Sequence, residues 1–428
     1  MSAAVRAGVL VVGASQAGVQ LASSLREFGH GGPVTLVGAE PYPPYQRPPL
    51  SKRALREGIS PESLVLRSPT YYEDRDIRLA LGSRIVRVET GADGSGVAWT
   101  GDGGEYAFER LALTVGARAR ALPIPGSELS GVVRLRDLAD AVALRARLET
   151  AADVVVVGGG FIGLEVAATA AQMGKRVTVV LADDRLMARA VGTVPSEFFL
   201  RAHRERGVEV RLSTRPESFL DDGSGAVRAV VLDDGSVVRT GLVIVGVGAT
   251  PRTELATQLG LEVADGIMVD EHCVTSDGFT VAAGDCVRCR VPMSAEDGPY
   301  RRFESVSTAI EQAKVAAATL AGTQASYRAV PWFWSDQYDL KLQVAGLTDG
   351  HDSVVVRGSV VDGAFCALYF RGKRLVAAEC VNRPADFMAA RGALNHGRTI
   401  DAERAGDTTV SLKSLQRDIE ADLVEVAV

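Results

Sequence analysis

Val154-Val155-Val156-Val157-Gly158-Gly159-Gly160-Phe161-Ile162-Gly163-Leu164-Glu165 decides how this 428-residue chain folds. Four valines read as a buried strand. The run breaks at glycine and passes directly into Val166-Ala167-Ala168-Thr169-Ala170, which is helical in character. Gly158, Gly160 and Gly163 stand as Gly-x-Gly-x-x-Gly. Such a turn needs glycine for the tight bend, for close approach of backbone to a pyrophosphate, and for helix–strand packing. The helix start then offers free N–H groups and a positive dipole end to the phosphates.

The pattern occurs a second time near the N-terminus. Val9-Leu10-Val11-Val12 runs into Gly13-Ala14-Ser15-Gln16-Ala17-Gly18 and then a helical stretch from Val19 to Leu25. Ser15 stands where the middle glycine usually does. A strand at 34–37 ends near Glu40, placed to accept hydrogen bonds from an adenosine ribose. Two fingerprints in one chain imply two dinucleotides, or one used twice. After the Gly158 turn, the strand at 176–181 ends at Leu181, where an NAD-binding unit usually carries an acid that repels a 2′-phosphate. Asp183 substitutes for that acid if the loop bends back. The reading is a nicotinamide dinucleotide, NADH by preference and NADPH possible.

Between the fingerprints lies a stiff loop. Pro41, Pro43, Pro44, Pro48 and Pro49 surround Arg47 and precede Lys52; so many prolines exclude a central strand. Two cations on a rigid loop suit a phosphate-bearing or electron-rich ligand. Residues 77–115 alternate as strands with glycine turns at 91–94 and 101–104. From about Ala325 the texture changes to aromatic and antiparallel, with Trp332 and Trp334 close together, which predicts a third domain.

Composition sets limits. Hydrophobic content of 46% and charged content of 23% fit a globular chain of two or three domains. A net charge of −6 argues against a general nucleic-acid binder. No apolar run reaches the roughly 18–20 residues of a membrane span, and Met1 to Gly8 is too short for a signal peptide. Five scattered cysteines predict a reducing cytoplasm and no disulfide framework. Cys286 and Cys289 form a C-x-x-C read as two semi-buried thiols, since no further zinc ligands stand nearby. His30, His203, His272, His351 and His396 show no metal spacing, so surface or loop roles are expected for each.

Taken together, the chain resembles flavoprotein ferredoxin reductases of the putidaredoxin reductase and rubredoxin reductase type, within the glutathione-reductase-like fold. The resemblance rests on Gly13–Gly18, Arg47-Pro48-Pro49-Leu50-Ser51-Lys52, Thr114-Val115-Gly116 and Gly158–Glu165. It continues through Gly246-Val247-Gly248-Ala249-Thr250-Pro251, Gly284-Asp285, Glu304-Ser305-Val306 and Phe333-Trp334-Ser335-Asp336-Gln337. It implies an α/β architecture of two Rossmann-like domains plus a C-terminal α+β domain. A discontinuous FAD-binding domain would occupy 1–116 and 245–324, an NAD(P)H-binding domain 117–244 and an interface domain 325–428.

The resemblance also implies site roles. FAD would lie on the first fingerprint, with Gly13, Ser15, Ala17 and Gly18 at its pyrophosphate, Glu40 at its ribose and Ile85 at its adenine. Arg47, Thr114, Gly116, Arg136, Gly248, Asp285, Glu304, Val306 and Trp334 would also contact cofactor. NADH would enter along Gly158, Gly160, Phe161, Ile162, Gly163 and Glu165, with Asp183 near its ribose. Lys52 and Glu165 would pair beside the nicotinamide and count as the catalytic residues. Hydride would pass from nicotinamide to flavin, and single electrons then to an iron–sulfur ferredoxin serving a cytochrome P450 or a dioxygenase. No cysteine lies between Pro41 and Leu64, so a disulfide reductase is disfavoured. An NADH oxidase and an apoptosis-inducing-factor-like interaction protein are the alternatives. Arg301, Arg302, Arg371, Lys373, Arg374, Arg383 and Arg391 are the candidate cations for an acidic ferredoxin.

Overall fold

A computed structural model describes residues 4–58, 60–292 and 298–419. The end of the expected third domain, from 420 onward, lies outside the described residues. The chain forms two compact units. One takes residues up to 46, 60–118 and 249–331; the other takes the segment that opens at Arg47, 119–248 and the chain from 332 onward.

The first unit is built on a sheet whose core is parallel. Strand Val5–Val12 lies between Val34–Val37 and Glu105–Leu113, and Ile77–Ala80 pairs outside Val34–Val37. Burial on both faces explains why Val9, Leu10 and Val11 are apolar without alternation. The long strand Glu105–Leu113 has two partners along its other edge. Its first half pairs antiparallel with Gly96–Thr100, and Ala112 and Leu113 pair in parallel with Val281–Ala282. Helix Gln16–Glu27 packs on Val306–Leu320. Ala22, Ala313 and Ala317 on these helices are fully buried, and such small side chains let backbones approach closely.

The second unit contains a five-stranded parallel sheet in the order Glu209–Arg211, Arg176–Val180, Asp153–Val157, Val243–Val245, Val132–Val133. Its C-terminal part is a five-stranded antiparallel sheet of Trp332–Gln337, Leu340–Gly346, Arg374–Val381, Ala364–Arg371 and Ser353–Ser359. Helix Pro384–Asn395 covers it, with Phe387 buried. Among the described residues, no helix is long and apolar enough to cross a membrane.

Two expectations are corrected here. Cys366 and Cys380 form a disulfide, where none was expected. They stand 14 residues apart, and the turn between Ala364–Arg371 and Arg374–Val381 places them directly opposite each other in register. His203, expected at a surface or in a loop, is fully buried on helix Thr193–Glu205. The apolar face of that helix carries it inward beside Phe199 and Ala202.

Glu379, on strand Arg374–Val381 of the C-terminal sheet, is also buried. It accepts the Gly192 N–H at 3.0 Å on each oxygen and the Tyr369 hydroxyl at 2.5 Å. Burial nevertheless pushes its carboxyl up from 4.5 to about 7. Between those values the folded protein keeps a proton that the unfolded chain has lost. The stability from this group is therefore full below pH 4.5 and disappears as pH rises to about 7. Glu379→Gln should consequently be more stable than the parent at pH 8 by about 3 kcal/mol relative to the difference at pH 4. Thermal melts at the two pH values test this, and a pH-independent difference would refute it.

Candidate cofactor-binding site

In the first unit, strand Val5–Val12 ends at Gly13, whose φ of +118° favours glycine. A Cβ there would sit 2.2 Å from the Thr114 carbonyl oxygen, and one on Gly18 would sit 2.0 Å from the Gly13 carbonyl. The Thr114 hydroxyl donates to the Gly13 carbonyl at 2.9 Å and ties the turn to the adjacent strand. Ser15 caps helix Gln16–Glu27 without a side-chain hydrogen bond to it, so its oxygen does not occupy the first-turn N–H groups. Ala17 is buried and close to Gly284, where an added Cβ would come within 3.1 Å of the Ala17 methyl.

The other predicted positions of this unit fall as follows. Glu40 follows Val34–Val37, and its carboxylate accepts the Tyr45 hydroxyl at 2.5 Å. Ile85 opens strand Ile85–Thr90 and is buried. Gly116 has φ +66° and Asp285 directly follows Gly284 at φ +87°. Val306 opens the helix capped by Ser305, and Glu304 pairs with Arg302. Cys286 and Cys289 are buried, and burial pushes their thiols up to about 12 and about 11. Neither is a thiolate nucleophile at neutral pH.

In the second unit, Gly158 has φ +111°, and its Cβ would meet the Gly246 carbonyl at 2.4 Å. Gly163's would meet the Gly158 carbonyl at 2.5 Å. Gly160 differs. Its φ of −82° suits any residue, and nothing lies within 4 Å of an added Cβ. It is the N-cap of helix Phe161–Gln172 and makes no side-chain capping hydrogen bond to the first N–H groups. Open space in front of an uncapped 12-residue helix fits a pyrophosphate. Gly248 likewise has φ +105° and open space. Leu181 is buried against the turn, its Cδ1 lying 2.5 Å from where a Gly159 Cβ would be. Asp183 is exposed in the following loop.

The Lys52–Glu165 pair forms within this same unit. Pro48–Ser51 is a short 3₁₀ turn, and Lys52 links it to helix Arg53–Glu57. Glu165 is 5% exposed on Phe161–Gln172. Lys52 Nζ lies 2.9 Å from Glu165 Oε2 and also donates to the Pro48 carbonyl at 3.1 Å. Ser51 Oγ donates to Oε2 at 2.5 Å and Ser335 Oγ to Oε1 at 2.7 Å. The Thr169 hydroxyl bonds the Ser51 carbonyl at 3.0 Å and holds the turn on the helix. The carboxylate thus has hydrogen bonds on both oxygens as well as its counter-ion, the condition for keeping a buried charge. Arg47 donates to the Arg136 carbonyl at 2.8 Å. Phe161 packs on Phe333 at 4.7 Å, Ile162 is 43% exposed, and Trp334 stands beside Trp332 at 5.7 Å.

In the sequence Ser51, Ser335 and Gln337 stand inside quoted motifs without a role, and Tyr338 is given none. No local pattern distinguishes a serine on a turn or strand that faces a carboxylate. Of the candidate docking cations, Arg302 and Arg383 are engaged with Glu304 and Asp386, and Arg391 lies 4.8 Å over the Trp332 ring. Among the described residues no cluster of acidic, histidine and cysteine side chains is placed to hold a metal.

The family model for pyridine nucleotide-disulphide oxidoreductases matches residues 7–313, and one for a reductase C-terminal domain matches 332–416. Rhodocoxin reductase of Rhodococcus erythropolis is 45% identical over 95% of this chain and 93% of its own length. Two solved structures are similar across nearly the whole chain. The ferredoxin reductase for the CYP199A2 system of Rhodopseudomonas palustris has a TM-score of 0.90 at 40% identity, covering 95% of this chain and 99% of that one. Putidaredoxin reductase in its covalent complex with putidaredoxin has a TM-score of 0.89 at 36% identity, covering 96% and 98%.

Proposed function

The chain belongs to the pyridine nucleotide-disulphide oxidoreductase family, and on that premise we propose that it is an NAD(P)H-dependent flavoprotein reductase whose acceptor is an iron–sulfur ferredoxin. That ferredoxin in turn serves a cytochrome P450 or another oxygenase. One observation carries the choice of acceptor: Lys52, the partner of Glu165, stands on a loop without cysteine, and every cysteine, free or in the Cys366–Cys380 bond, is buried. A disulfide substrate would need a thiolate to receive electrons, whereas a one-electron carrier needs none. The names of the similar proteins, a rhodocoxin reductase and a reductase captured with its putidaredoxin, support the same reading.

FAD bound by the first unit would accept a hydride and release electrons one at a time. The Gly13–Gly18 turn would hold its pyrophosphate, Glu40 its ribose, Ile85 its adenine, and Asp285 and Val306 the remainder. Gly158–Gly163 would bind the nicotinamide dinucleotide. Lys52 supplies positive charge where electrons arrive, and Glu165 fixes the position of that ammonium. NADH is the preferred donor, with Asp183, in the loop after Arg176–Val180, standing in for the acid that repels a 2′-phosphate. We place the chain in the cytoplasm, where the Cys366–Cys380 disulfide is an exception to the usual reduced state of thiols.

The test is electron flow from NADH to cytochrome c, with and without a [2Fe–2S] ferredoxin. A rate that depends strongly on ferredoxin is expected. Oxygen uptake equal to NADH loss, with no effect of ferredoxin, would refute the proposal and favour an oxidase.

A further inference from the structure

Behind Glu165 the hydrogen bonds continue through the second unit. Gln337 Nε2 donates to Ser335 Oγ at 3.2 Å, and Gln337 Oε1 lies 2.8 Å from His203 Nε2. His203 Nδ1 lies 3.1 Å from the Tyr338 hydroxyl. A carboxylate can only accept, and this decides the direction of each bond. Ser335 spends its proton on Glu165 and so accepts from the Gln337 amide. The amide oxygen then faces His203 and requires the proton on Nε2. Nδ1 is left as an acceptor for the Tyr338 O–H. Every donor in the series points toward Glu165.

We propose that Ser335, Gln337, His203 and Tyr338 are positioning residues for the Lys52–Glu165 pair: they form a one-way series of donors that fixes the Glu165 carboxylate under the Lys52 ammonium. The inference rests on the function proposed above. Ser335, Gln337 and His203 are fully buried, so water does not substitute for a missing member. Burial pushes the His203 imidazole down to about 4, which keeps it neutral, and the Gln337 amide oxygen at Nε2 sets its tautomer. The charged groups facing the series are Lys52 at Glu165 Oε2 and, at its far end, Arg206, which sits 4.8 Å over the Tyr338 ring and pairs with Asp339 at 2.8 Å. Successive donors polarise one another in a low-dielectric interior, so loss of one member weakens the rest.

The experiment compares the purified FAD-loaded parent with Ser335→Ala, Ser335→Thr and Gln337→Met, by single-turnover reduction of the flavin with NADH across pH. Ser335→Ala should slow reduction by roughly 10-fold and move the acid limb of the rate profile upward by about one pH unit. Ser335→Thr should restore both. Gln337→Met leaves the ion pair and both serines in place and removes only the donor behind Ser335, so it should shift the profile in the same direction by less. It carries the test if Ser335→Ala does not fold. A folded Ser335→Ala or Gln337→Met with the parent's rate profile would overturn the inference, as would slower reduction with an unmoved pH dependence. Failure of the parent itself to be reduced by NADH or NADPH would refute the proposed function, a result separate from either of these.

Discussion

Glu165→Leu is expected to lower the rate of flavin reduction by NADH by about 10²–10³-fold and to destabilise the protein by about 3–5 kcal/mol. Leucine fills much of the volume and suits a helix, so packing is not the cause. The loss comes from two hydroxyls left without an acceptor and an ammonium left without its counter-ion. Ser51 and Ser335 would keep buried hydroxyls facing an apolar side chain, and Lys52, whose side chain is 20% exposed, would lose its counter-ion. An ammonium so placed moves toward water or gives up its proton, and in either case positive charge leaves the site. Glu165→Gln should be milder in stability, because an amide oxygen still accepts one serine. Its rate should fall nearly as far, because the charge is gone. Stopped-flow reduction and denaturant titration measure the two effects. A folded Glu165→Leu protein that is reduced at the parent rate would remove the pair from catalysis.

Gly160→Val is the second large effect, and here binding is affected and folding is not. The backbone at φ −82° admits valine, and nothing lies within 4 Å of the new Cβ. An apolar N-cap costs about 1 kcal/mol at most. The side chain, however, fills the space in front of the helix where a pyrophosphate would approach. FAD content and melting temperature should stay near those of the parent, while KM for NADH rises by about 100-fold or more. Gly158→Ala is the control that separates the two demands on this turn. Its φ of +111° and the Gly246 carbonyl at 2.4 Å make it a folding defect, with loss of yield before loss of affinity. A Gly160→Val protein with unchanged KM would show that the dinucleotide lies elsewhere.

The legible parts of this chain are those whose physics is local. Valine runs ending in glycine announced the strands Val5–Val12 and Asp153–Val157 and the helices that follow them, because strand burial, turn strain and helix onset act over a dozen neighbouring residues. The glycine turns between Ile85–Thr90, Gly96–Thr100 and Glu105–Leu113 were visible for the same reason. Lys52 and Glu165 came from resemblance, since no local rule pairs a loop lysine with a helix glutamate so far along the chain.

What only the tertiary structure decided was which polar side chains meet in the interior. Ser51 and Ser335 reach Glu165 across 114 and 170 residues, and His203 reaches Gln337 across 134. A single serine or histidine carries no sign of such a partner, and His203 on an amphipathic helix reads equally well as a surface residue until the sheet that covers it is known. The Cys366–Cys380 bond is the short-range version of the same limit: 14 residues separate the two, but their pairing depends on strand register. By itself the sequence determined where chain bends and backbone can approach a phosphate, because glycine's missing Cβ acts at its own position. The fold alone determined which charge stays ionised in the core, because desolvation and its compensation depend on every group packed around it.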